Sequence, residues 1–317
     1  MTPQAAPTTE TELDADARAT DEALRRLAAH IPAVDRRMAD HIRRTPMPDR
    51  LRESIEYSAL GPGKRLRPML AVHACLAVGG EPERAFDAGA AVELIHAFSL
   101  VHDDLPAMDN DDLRRGRPTN HIVYGETMAI LAGDAMVSLA FALLTPGPHQ
   151  ATDPALAGLL SAELAAGTTG MIAGQVYDTL GGFPEDLDDR QRLELIHRHK
   201  TGALIRASCR MGALAGMWPR VDADRLDAVT RYGDAIGLMF QVVDDILDVE
   251  QTADRLGKRA NKDADAGKAT FPGVLGLDAS RAEVCRLRIE ALDALRPLGV
   301  NAAGLRDLCE LMAVRDR

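Results

Sequence analysis

Two aspartate-rich segments, at residues 103–109 and 244–248, lie within strongly apolar helical sequence. Clustered carboxylates flanked by Val, Ile and Leu cost free energy unless a cation neutralises them. Mg²⁺ prefers oxygen ligands and is typically bound by one or two carboxylates together with the phosphates of a substrate. A single Asp-Asp pair would most simply be a solvated helix face. Two such clusters favour a divalent-metal site that binds a diphosphate.

The second acidic segment follows the spacing of one helix face. Gln241, Asp244 and Asp248 are separated by three and four residues, so their side chains stack along consecutive turns. The apolar residues around them also recur at helical spacing and predict a core-facing stripe on the same helix. That stripe consists of Leu226, Val229, Ile236, Phe240, Val243 and Leu247.

The first acidic segment departs from helical spacing. Asp103 and Asp109 are six residues apart, which places them on different faces of an ideal helix. Pro106 lies between them and cannot continue the helical hydrogen bonds. We therefore expect a distorted helix end whose turn brings Asp109 back towards Asp103. His96 lies two turns before Asp103 on the same face.

Two basic segments, at residues 61–68 and 111–119, combine Arg with Gly. Guanidinium groups match phosphate oxygens bidentately, and Gly allows backbone N–H groups to approach an anion closely. Taken singly, either segment could be a surface loop that pairs with nearby acids. Further cations stand at Lys200, Lys258 and Lys268, the last two in a Gly- and Asp-rich stretch that we expect to be a mobile lid.

The composition predicts an all-α protein. Of the 317 residues, 46% are hydrophobic, 27% are charged and only 3% are aromatic, and unbranched side chains favour helices over strands. We expect a disordered tail at residues 1–18 and one helical-bundle domain at residues 19–317. The net charge of −11 argues against a nucleic-acid-binding surface, although a local cluster of Arg and Lys could still bind an anion.

The remaining residue patterns argue against several other classes. The four cysteines lack CxxC spacing and are expected to be buried apolar residues rather than zinc ligands or disulfides. The most hydrophobic stretch, residues 201–218, is interrupted by Arg206 and Arg210, and we expect no apolar run of membrane-spanning length and no membrane insertion. The acidic, Pro-containing start of the chain is unlike a secretion signal, so we expect a cytoplasmic location.

The chain closely resembles the trans-isoprenyl diphosphate synthases, specifically the bacterial farnesyl diphosphate synthase group, from about residue 25 onwards. The resemblance rests on residues 63–68, Asp-Asp-x-x-x-x-Asp at 103–109, residues 114–116, Lys200-Thr201, Phe240-Gln241, Asp244-Asp245-x-x-Asp248 and residues 257–258. It implies an all-helical bundle in which the two acidic motifs face each other across a central cavity, and usually a homodimer. It also implies Mg²⁺-dependent condensation of isopentenyl diphosphate with an allylic diphosphate.

The resemblance implies a role for each matching position. About three Mg²⁺ ions, bound with the allylic diphosphate, would be held by Asp103, Asp109 and Asp244, with Asp104, Asp245 and Asp248 as supporting or water-mediated ligands. The allylic diphosphate would also contact Arg114, Lys200, Thr201, Gln241, Lys258 and Lys268. Isopentenyl diphosphate would bind without metal to Gly63, Lys64, Arg67, His96 and Arg115. The residues assigned to catalysis are Asp103, Asp109, Arg114, Lys200, Thr201, Gln241 and Asp244.

The resemblance also bears on product length. In this family the growing chain extends along the helix that carries the first acidic motif, and the residues four and five positions before Asp103 form its floor. Here these are Ser99 and Phe98, and a ring at Phe98 should stop growth at about fifteen carbons, giving farnesyl diphosphate. A twenty-carbon product would follow if the ring rotates away. Less favoured alternatives are a class I terpene cyclase and a non-catalytic subunit of a two-component synthase.

Overall fold

The computed structural model describes residues 22–145, 153–258 and 269–314, and side chains within these ranges except at 251–258. Residues 22–27 are helical, and the following helices are α1 (Ile31–Arg44), α2 (Asp49–Ala59), α3 (Leu66–Ala77), α4 (Phe86–Asp103), α5 (Asn120–Tyr124), α6 (Glu126–Leu144), α7 (Pro154–Leu180), α8 (Asp189–His197), α9 (Ala203–Met217), α10 (Ala223–Lys258), α11 (Phe271–Leu275), α12 (Leu277–Ala294) and α13 (Ala303–Ala313). The all-α prediction is therefore confirmed. The expected tail at residues 1–18 lies outside the described residues.

Five shorter elements lie between the described helices. Short 3₁₀ turns lie at Pro82–Ala85 and Arg296–Ala302, and a π-helical turn at Arg198–Gly202 joins α8 to α9. The strands β1 (Leu113–Arg114) and β2 (Arg117–Pro118) form an antiparallel ribbon in the second basic segment. The sequence did not predict this ribbon, because two-residue strands carry no alternating pattern.

The long helix α10 has the core face that its spacing predicts. Val229, Ile236 and Val243 are buried in an apolar cluster, and Leu226, Phe240 and Leu247 pack partly buried against it. This cluster joins α10 to α3, α9, α12 and α13. A second apolar cluster joins α1, α2, α4 and α6. Helices α3 and α9 contribute residues to both clusters and so fix the position of α10 relative to α4.

Glycines let three elements meet closely around the π-helical turn. A Cβ atom on Gly237 of α10 would lie 2.7 Å from the Cα atom of Gly202, which is closer than real Cβ contacts. A Cβ atom on Gly174 of α7 would overlap the backbone of Lys200. The π-helical turn therefore lies directly against α7 and α10. Single π-turns inserted between α-helices often mark functional sites.

Two helices contradict the expectation that no apolar run reaches membrane-spanning length. By length and composition, α6 and α7 are long and apolar enough to cross a bilayer. The core helix of a soluble protein passes the same test, and α6 packs along α4 within the second apolar cluster. The sequence prediction considered only residues 201–218 and so missed α6 and α7.

The cysteine prediction was wrong at one position. Cys75, Cys209 and Cys309 are buried as expected, whereas Cys285 is exposed, and all four are free thiols. Cys285 follows Val284 on α12, and the buried face of that helix runs through Val284 and Leu287. One residue further along a helix turns the side chain by about 100°, which places Cys285 towards solvent.

Candidate active site

The first acidic segment forms a tight turn at the end of α4. Helix α4 ends at Asp103, and the Asp109 N–H then donates a hydrogen bond to the Asp103 carbonyl oxygen at 2.8 Å. The Asn110 N–H donates to the Leu105 carbonyl oxygen at 3.1 Å, and Asn110 has a φ of 55°, in the left-handed region that Asn tolerates better than most residues. The predicted return of Asp109 towards Asp103 is confirmed.

The electrostatic surroundings of Asp103 suit a bound cation. Burial raises the pKa of the Asp103 carboxyl to about 6, and the carboxylates of Asp109 and Asp104 act in the same direction. The charges of Lys200 and Arg114 oppose this rise, which means that both cations lie close enough to act on Asp103. A divalent cation would relieve the repulsion among these carboxylates.

Asp104 is engaged differently from its neighbour. Its buried Oδ1 atom accepts a hydrogen bond from the Arg114 Nε atom at 2.7 Å and forms a salt bridge with the Arg114 Nη2 atom at 2.6 Å. Because Arg114 lies on β1, this ion pair anchors the β ribbon to the end of α4. The role of Asp104 as a supporting metal ligand stays a prediction.

The second acidic segment is connected to the π-helical turn by hydrogen bonds. The Thr201 hydroxyl donates to the Gln241 Oε1 atom at 2.8 Å, and the Gln241 Nε2 atom donates to the Asp244 Oδ2 atom at 3.3 Å. Asp248 is exposed on the next turn of α10. This chain orients the Gln241 amide and the Asp244 carboxylate together, as the spacing of the two residues predicts.

Asp245 joins α10 to two other elements. Its buried Oδ2 atom accepts a hydrogen bond from the Phe271 N–H at 2.9 Å and lies 3.1 Å from the His197 Nε2 atom. The His197 ring also stacks on the Phe271 ring, with a centroid distance of 5.6 Å. One carboxylate oxygen of Asp245 therefore stabilises the packing of α10 against α8 and α11. A role for this residue as a supporting metal ligand stays a prediction.

Asp178 on α7 was not predicted from the sequence. Its carboxylate accepts a hydrogen bond from the Lys200 ammonium at 2.5 Å, and its side chain is only 14% exposed. Gly174 lies one turn earlier and permits the close approach of α7 to the Lys200 backbone. The i,i+4 spacing of Gly174 and Asp178 placed both on one helix face, but nothing in the local sequence paired that face with Lys200.

The first basic segment and the β ribbon meet at Gly63. The Arg115 Nη1 atom donates a hydrogen bond to the Pro62 carbonyl oxygen at 2.5 Å, and a Cβ atom on Gly63 would overlap the Arg115 guanidinium. Any larger residue at Gly63 would therefore displace Arg115. Lys64 is exposed on the same loop.

Arg67 and His96 complete a cationic pocket beside Gly63. Burial lowers the pKa of the His96 imidazole well below its usual value, and the nearby charges of Arg67 and Arg115 lower it further. Burial also lowers the pKa of Arg67 to about 10, with Arg115 acting in the same direction. Four of the residues predicted for isopentenyl diphosphate, namely Gly63, Arg67, His96 and Arg115, are thus brought together.

Phe98 occupies the predicted floor position on α4. Its ring is buried and packs edge-on against the His102 ring at a centroid distance of 5.6 Å. The His102 Nε2 atom lies 3.1 Å from the Ile130 carbonyl oxygen of α6, which ties the pair to the neighbouring helix. Ser99 donates its hydroxyl hydrogen bond to the His96 carbonyl oxygen at 2.9 Å. The Lys258 side chain and all of Lys268 lie outside the described residues.

The carboxylates of the two acidic segments fit Mg²⁺ only together with a bound ligand. In the part of the chain that the structure describes, no group of three His, Cys, Asp or Glu side chains could hold a metal ion. Mg²⁺ usually keeps several waters and combines one or two carboxylates with substrate phosphates, so a complete protein cage is not required. Asp103 and Asp109 supply such a partial donor set at the end of α4 and in the turn that follows it, and Asp244 supplies one on α10.

The raised pKa of Asp103 predicts a pH-dependent metal affinity. Below about pH 6 a proton competes for this carboxylate, so the apparent Mg²⁺ affinity in the presence of inorganic pyrophosphate should fall by up to about tenfold per pH unit. Isothermal titration at pH 5, 6 and 7.5 measures this fall. In the metal-free protein the free energy of unfolding should decrease as the pH rises from about 4 to 6, because the folded state holds this proton more tightly than the unfolded chain. Metal affinity that does not change between pH 5 and 6 would contradict the assignment.

A helical bundle with acidic motifs on two helices and a pocket of Arg and His side chains defines a class of proteins that act on diphosphates. Residues 48–293 match the polyprenyl synthetase family model, and the chain belongs to this family. The predicted resemblance to isoprenyl diphosphate synthases is confirmed. The chain is therefore a prenyltransferase of isoprenoid biosynthesis.

Three relatives illustrate the similarity. Geranylgeranyl pyrophosphate synthase 9, chloroplastic, of Arabidopsis thaliana is 46% identical over 271 residues, covering 84% of this chain and 74% of the relative. The structure of an FPP/GFPP synthase from Zymomonas mobilis matches with a TM-score of 0.78 and 34% identity, over 94% of this chain and 99% of the other. A geranyltransferase from Legionella pneumophila matches with a TM-score of 0.80 and 30% identity, over 94% and 98%. The names of these relatives differ in the product that they indicate.

Proposed function

We propose that this prenyltransferase condenses isopentenyl diphosphate with dimethylallyl or geranyl diphosphate and releases farnesyl diphosphate. The observation that carries the product assignment is the buried ring of Phe98 on α4, five residues before Asp103. A hydrocarbon chain that grows along α4 would meet this ring, which packs against His102, and His102 in turn is bonded to the Ile130 carbonyl oxygen of α6. Steric exclusion by a packed aromatic ring is a sound way to limit chain length.

The two substrates would bind on different sides of the cavity. The allylic diphosphate suits the region between the acidic motifs, where Lys200 and Arg114 act on Asp103. Isopentenyl diphosphate suits the pocket formed by Arg67, His96 and Arg115, where positive charge is concentrated. Lys258 and Lys268 stay predicted contacts of the allylic diphosphate.

The charged and polar side chains of the site would have different roles in the condensation. Asp103, Asp109 and Asp244 would hold Mg²⁺, which when bound supplies Lewis-acid stabilisation of the departing pyrophosphate. Arg114 and Lys200 would bind the phosphate oxygens as negative charge develops on them. The Thr201 hydroxyl and the Gln241 amide, which are joined by a hydrogen bond, would direct their dipoles at the allylic cation.

The condensation then needs no protein nucleophile. The isopentenyl double bond attacks the allylic cation, a new carbon–carbon bond forms, and the released pyrophosphate accepts the proton lost in the final elimination. A reaction of this kind agrees with a site that consists mainly of charged and dipolar side chains. The test is incubation of the purified protein with isopentenyl and dimethylallyl diphosphates, with Mg²⁺ or with EDTA, followed by mass spectrometry. Farnesyl diphosphate formed only with Mg²⁺ supports the proposal, and no condensation product under either condition overturns it.

A geranylgeranyl diphosphate synthase is the second candidate. The specific observation in its favour is the 46% identity to relatives named as geranylgeranyl pyrophosphate synthases. These names describe the relatives and not this chain. Within one fold, the residue at the floor position, here Phe98, can change the product length. The same assay separates the two candidates, because a twenty-carbon product would replace the fifteen-carbon one.

We also propose that the protein is a homodimer. Exposed apolar side chains stand on α6 and α7, at Ile130, Leu131, Ile172 and Val176. An apolar surface of this kind is typical of a protein interface, and a dimer would cover it without membrane insertion. Light scattering should give about twice the chain mass of 34.1 kDa, and Leu131→Glu should lower it towards one chain. A wild-type protein of single-chain mass would contradict the dimer. The expected cytoplasmic location stays a prediction.

A further inference from the structure

Glu93 is a buried carboxylate next to the cationic pocket. It lies on α4, one turn before His96, and is 4% exposed. Its Oε1 atom accepts a hydrogen bond from the Arg65 Nη1 atom at 3.1 Å. Its Oε2 atom is buried and has no hydrogen-bond partner within the described residues. Burying a carboxylate oxygen without a hydrogen-bond partner costs free energy, and nearby positive charges are needed to offset that cost.

Arg65 links Glu93 to the loop before α3. Arg65 is itself buried, its Nε atom donates to the Asp35 Oδ1 atom at 2.9 Å, and its Nη2 atom donates to the Gly61 carbonyl oxygen at 3.0 Å. A Cβ atom on Gly63 would lie 3.2 Å from the Arg65 Nη1 atom. The same Cβ atom would overlap the Arg115 guanidinium, so Arg65 and Arg115 both border Gly63.

The charges in this pocket are strongly unbalanced. Arg65, Arg67 and Arg115 lie close enough to lower the pKa of the His96 imidazole by their charges. Glu93 acts in the opposite sense on two of them, since its charge raises the pKa values of both Arg67 and Arg115. The Arg67 Nε atom is buried and finds no hydrogen-bond partner in the described part of the chain. A buried N–H without a hydrogen-bond partner costs free energy, and the nearby charge of Glu93 offsets part of the cost of burying this guanidinium.

We propose that Glu93 is a positioning residue that holds the guanidinium groups of Arg67 and Arg115 together for the diphosphate of isopentenyl diphosphate. This inference rests on the proposed function. Like charges crowded in a buried pocket repel, and without a nearby carboxylate their side chains would turn towards solvent. Glu93 offsets part of that repulsion before the substrate arrives. The positive charge that remains matches a diphosphate that binds without metal.

The test is direct binding of isopentenyl diphosphate in EDTA, measured by isothermal titration calorimetry with Glu93→Gln. The amide keeps the size and the acceptor that faces Arg65 but removes the charge. We expect the Kd for isopentenyl diphosphate to rise about tenfold, which corresponds to about 1.4 kcal/mol. In steady-state assays the KM for isopentenyl diphosphate should rise similarly. The KM for geranyl diphosphate should stay within about twofold, because that substrate binds on the other side of the cavity.

Asp35→Asn is the matched control. It also removes a carboxylate bonded to Arg65, but Asp35 lies on α1, whereas Glu93 lies on α4 one turn before His96. Its Kd for isopentenyl diphosphate should stay within about twofold of wild type. A change as large as that of Glu93→Gln would mean that support of Arg65 alone matters, and would overturn the specific role of Glu93.

Several outcomes decide the inference. Unchanged or tighter binding of isopentenyl diphosphate by folded Glu93→Gln overturns it, and so does an equal rise in the KM values of both substrates. If Glu93→Gln does not fold, Glu93→Asp is measured instead. This variant keeps the charge but moves it away from the pocket by the length of one methylene group. An unchanged Kd for isopentenyl diphosphate would then overturn the inference. If the wild-type protein condenses no isopentenyl diphosphate, the proposed function itself is overturned. If the wild type is active and Glu93→Gln binds isopentenyl diphosphate as the wild type does, only the inference about Glu93 is overturned.

Discussion

Replacing Asp103 with Asn is expected to lower kcat/KM for the allylic substrate by about 10²–10³-fold, equivalent to roughly 3–4 kcal/mol of transition-state stabilisation. The amide has nearly the same size but carries no charge with which to hold a divalent cation. The pKa of Asp103, raised to about 6 by burial and by neighbouring carboxylates, indicates a group whose charge is costly until a cation arrives. Steady-state kinetics at several Mg²⁺ concentrations measures the loss.

Asp112→Asn is the control for this substitution. Asp112 is an exposed acid a few residues further along the chain, and its backbone carbonyl accepts a hydrogen bond from the Thr119 N–H at 2.9 Å, which the substitution leaves in place. Its kcat/KM should stay within about twofold of wild type. An Asp103→Asn enzyme that keeps most of its activity at low Mg²⁺ concentration would contradict the assignment of Asp103 as a metal ligand.

Replacing Phe98 with Ala is expected to shift the main product from fifteen carbons to twenty or more. Removal of the ring opens apolar space beside α4 into which another isoprene unit can extend. The same change should lower the free energy of unfolding by about 3–5 kcal/mol, because a buried ring is lost. Mass spectrometry of the products and chemical denaturation measure the two effects separately.

Phe86→Ala separates product length from stability. Phe86 is also on α4 and also 8% exposed, but it lies at the opposite end of the helix from Asp103. We expect a comparable loss of stability with no change in product length. If Phe98→Ala leaves the products unchanged while remaining folded, Phe98 is not the floor and another element must limit chain growth.

Local spacing predicted the parts of the site that lie on one helix or one turn. The steps between Gln241 and Asp244 placed both side chains on one face of α10, and their hydrogen bond follows from that spacing. Pro106 predicted the end of α4, and the turn after it brings Asp109 back to Asp103. In each case the physical cause is within one or two turns of the residue.

Contacts between distant segments could not be predicted in this way. Lys200 was recognised, but its partner Asp178 is 22 residues away on another helix. Asp245 was placed with its neighbours in the acidic motif, and only the packing of α8 and α11 shows that one of its oxygens bonds the Phe271 N–H. Such pairings depend on which helix faces meet, and a single sequence does not specify these.

The cationic pocket combines both kinds of information. The combination of Arg and Gly in the two basic segments indicated a phosphate site, because Arg and Gly suit that ligand. The role of Glu93 became visible only in three dimensions, since it sits on a different helix and is surrounded by apolar residues in sequence.

The most direct test of the farnesyl assignment is incubation of the wild-type protein with radiolabelled isopentenyl diphosphate, Mg²⁺ and farnesyl diphosphate as the sole primer. A buried Phe98 ring that closes the cavity should leave this primer unextended, while geranyl diphosphate in a parallel reaction is converted to the fifteen-carbon product. Rapid formation of a twenty-carbon diphosphate from the farnesyl primer would contradict the account and identify the protein as a geranylgeranyl diphosphate synthase.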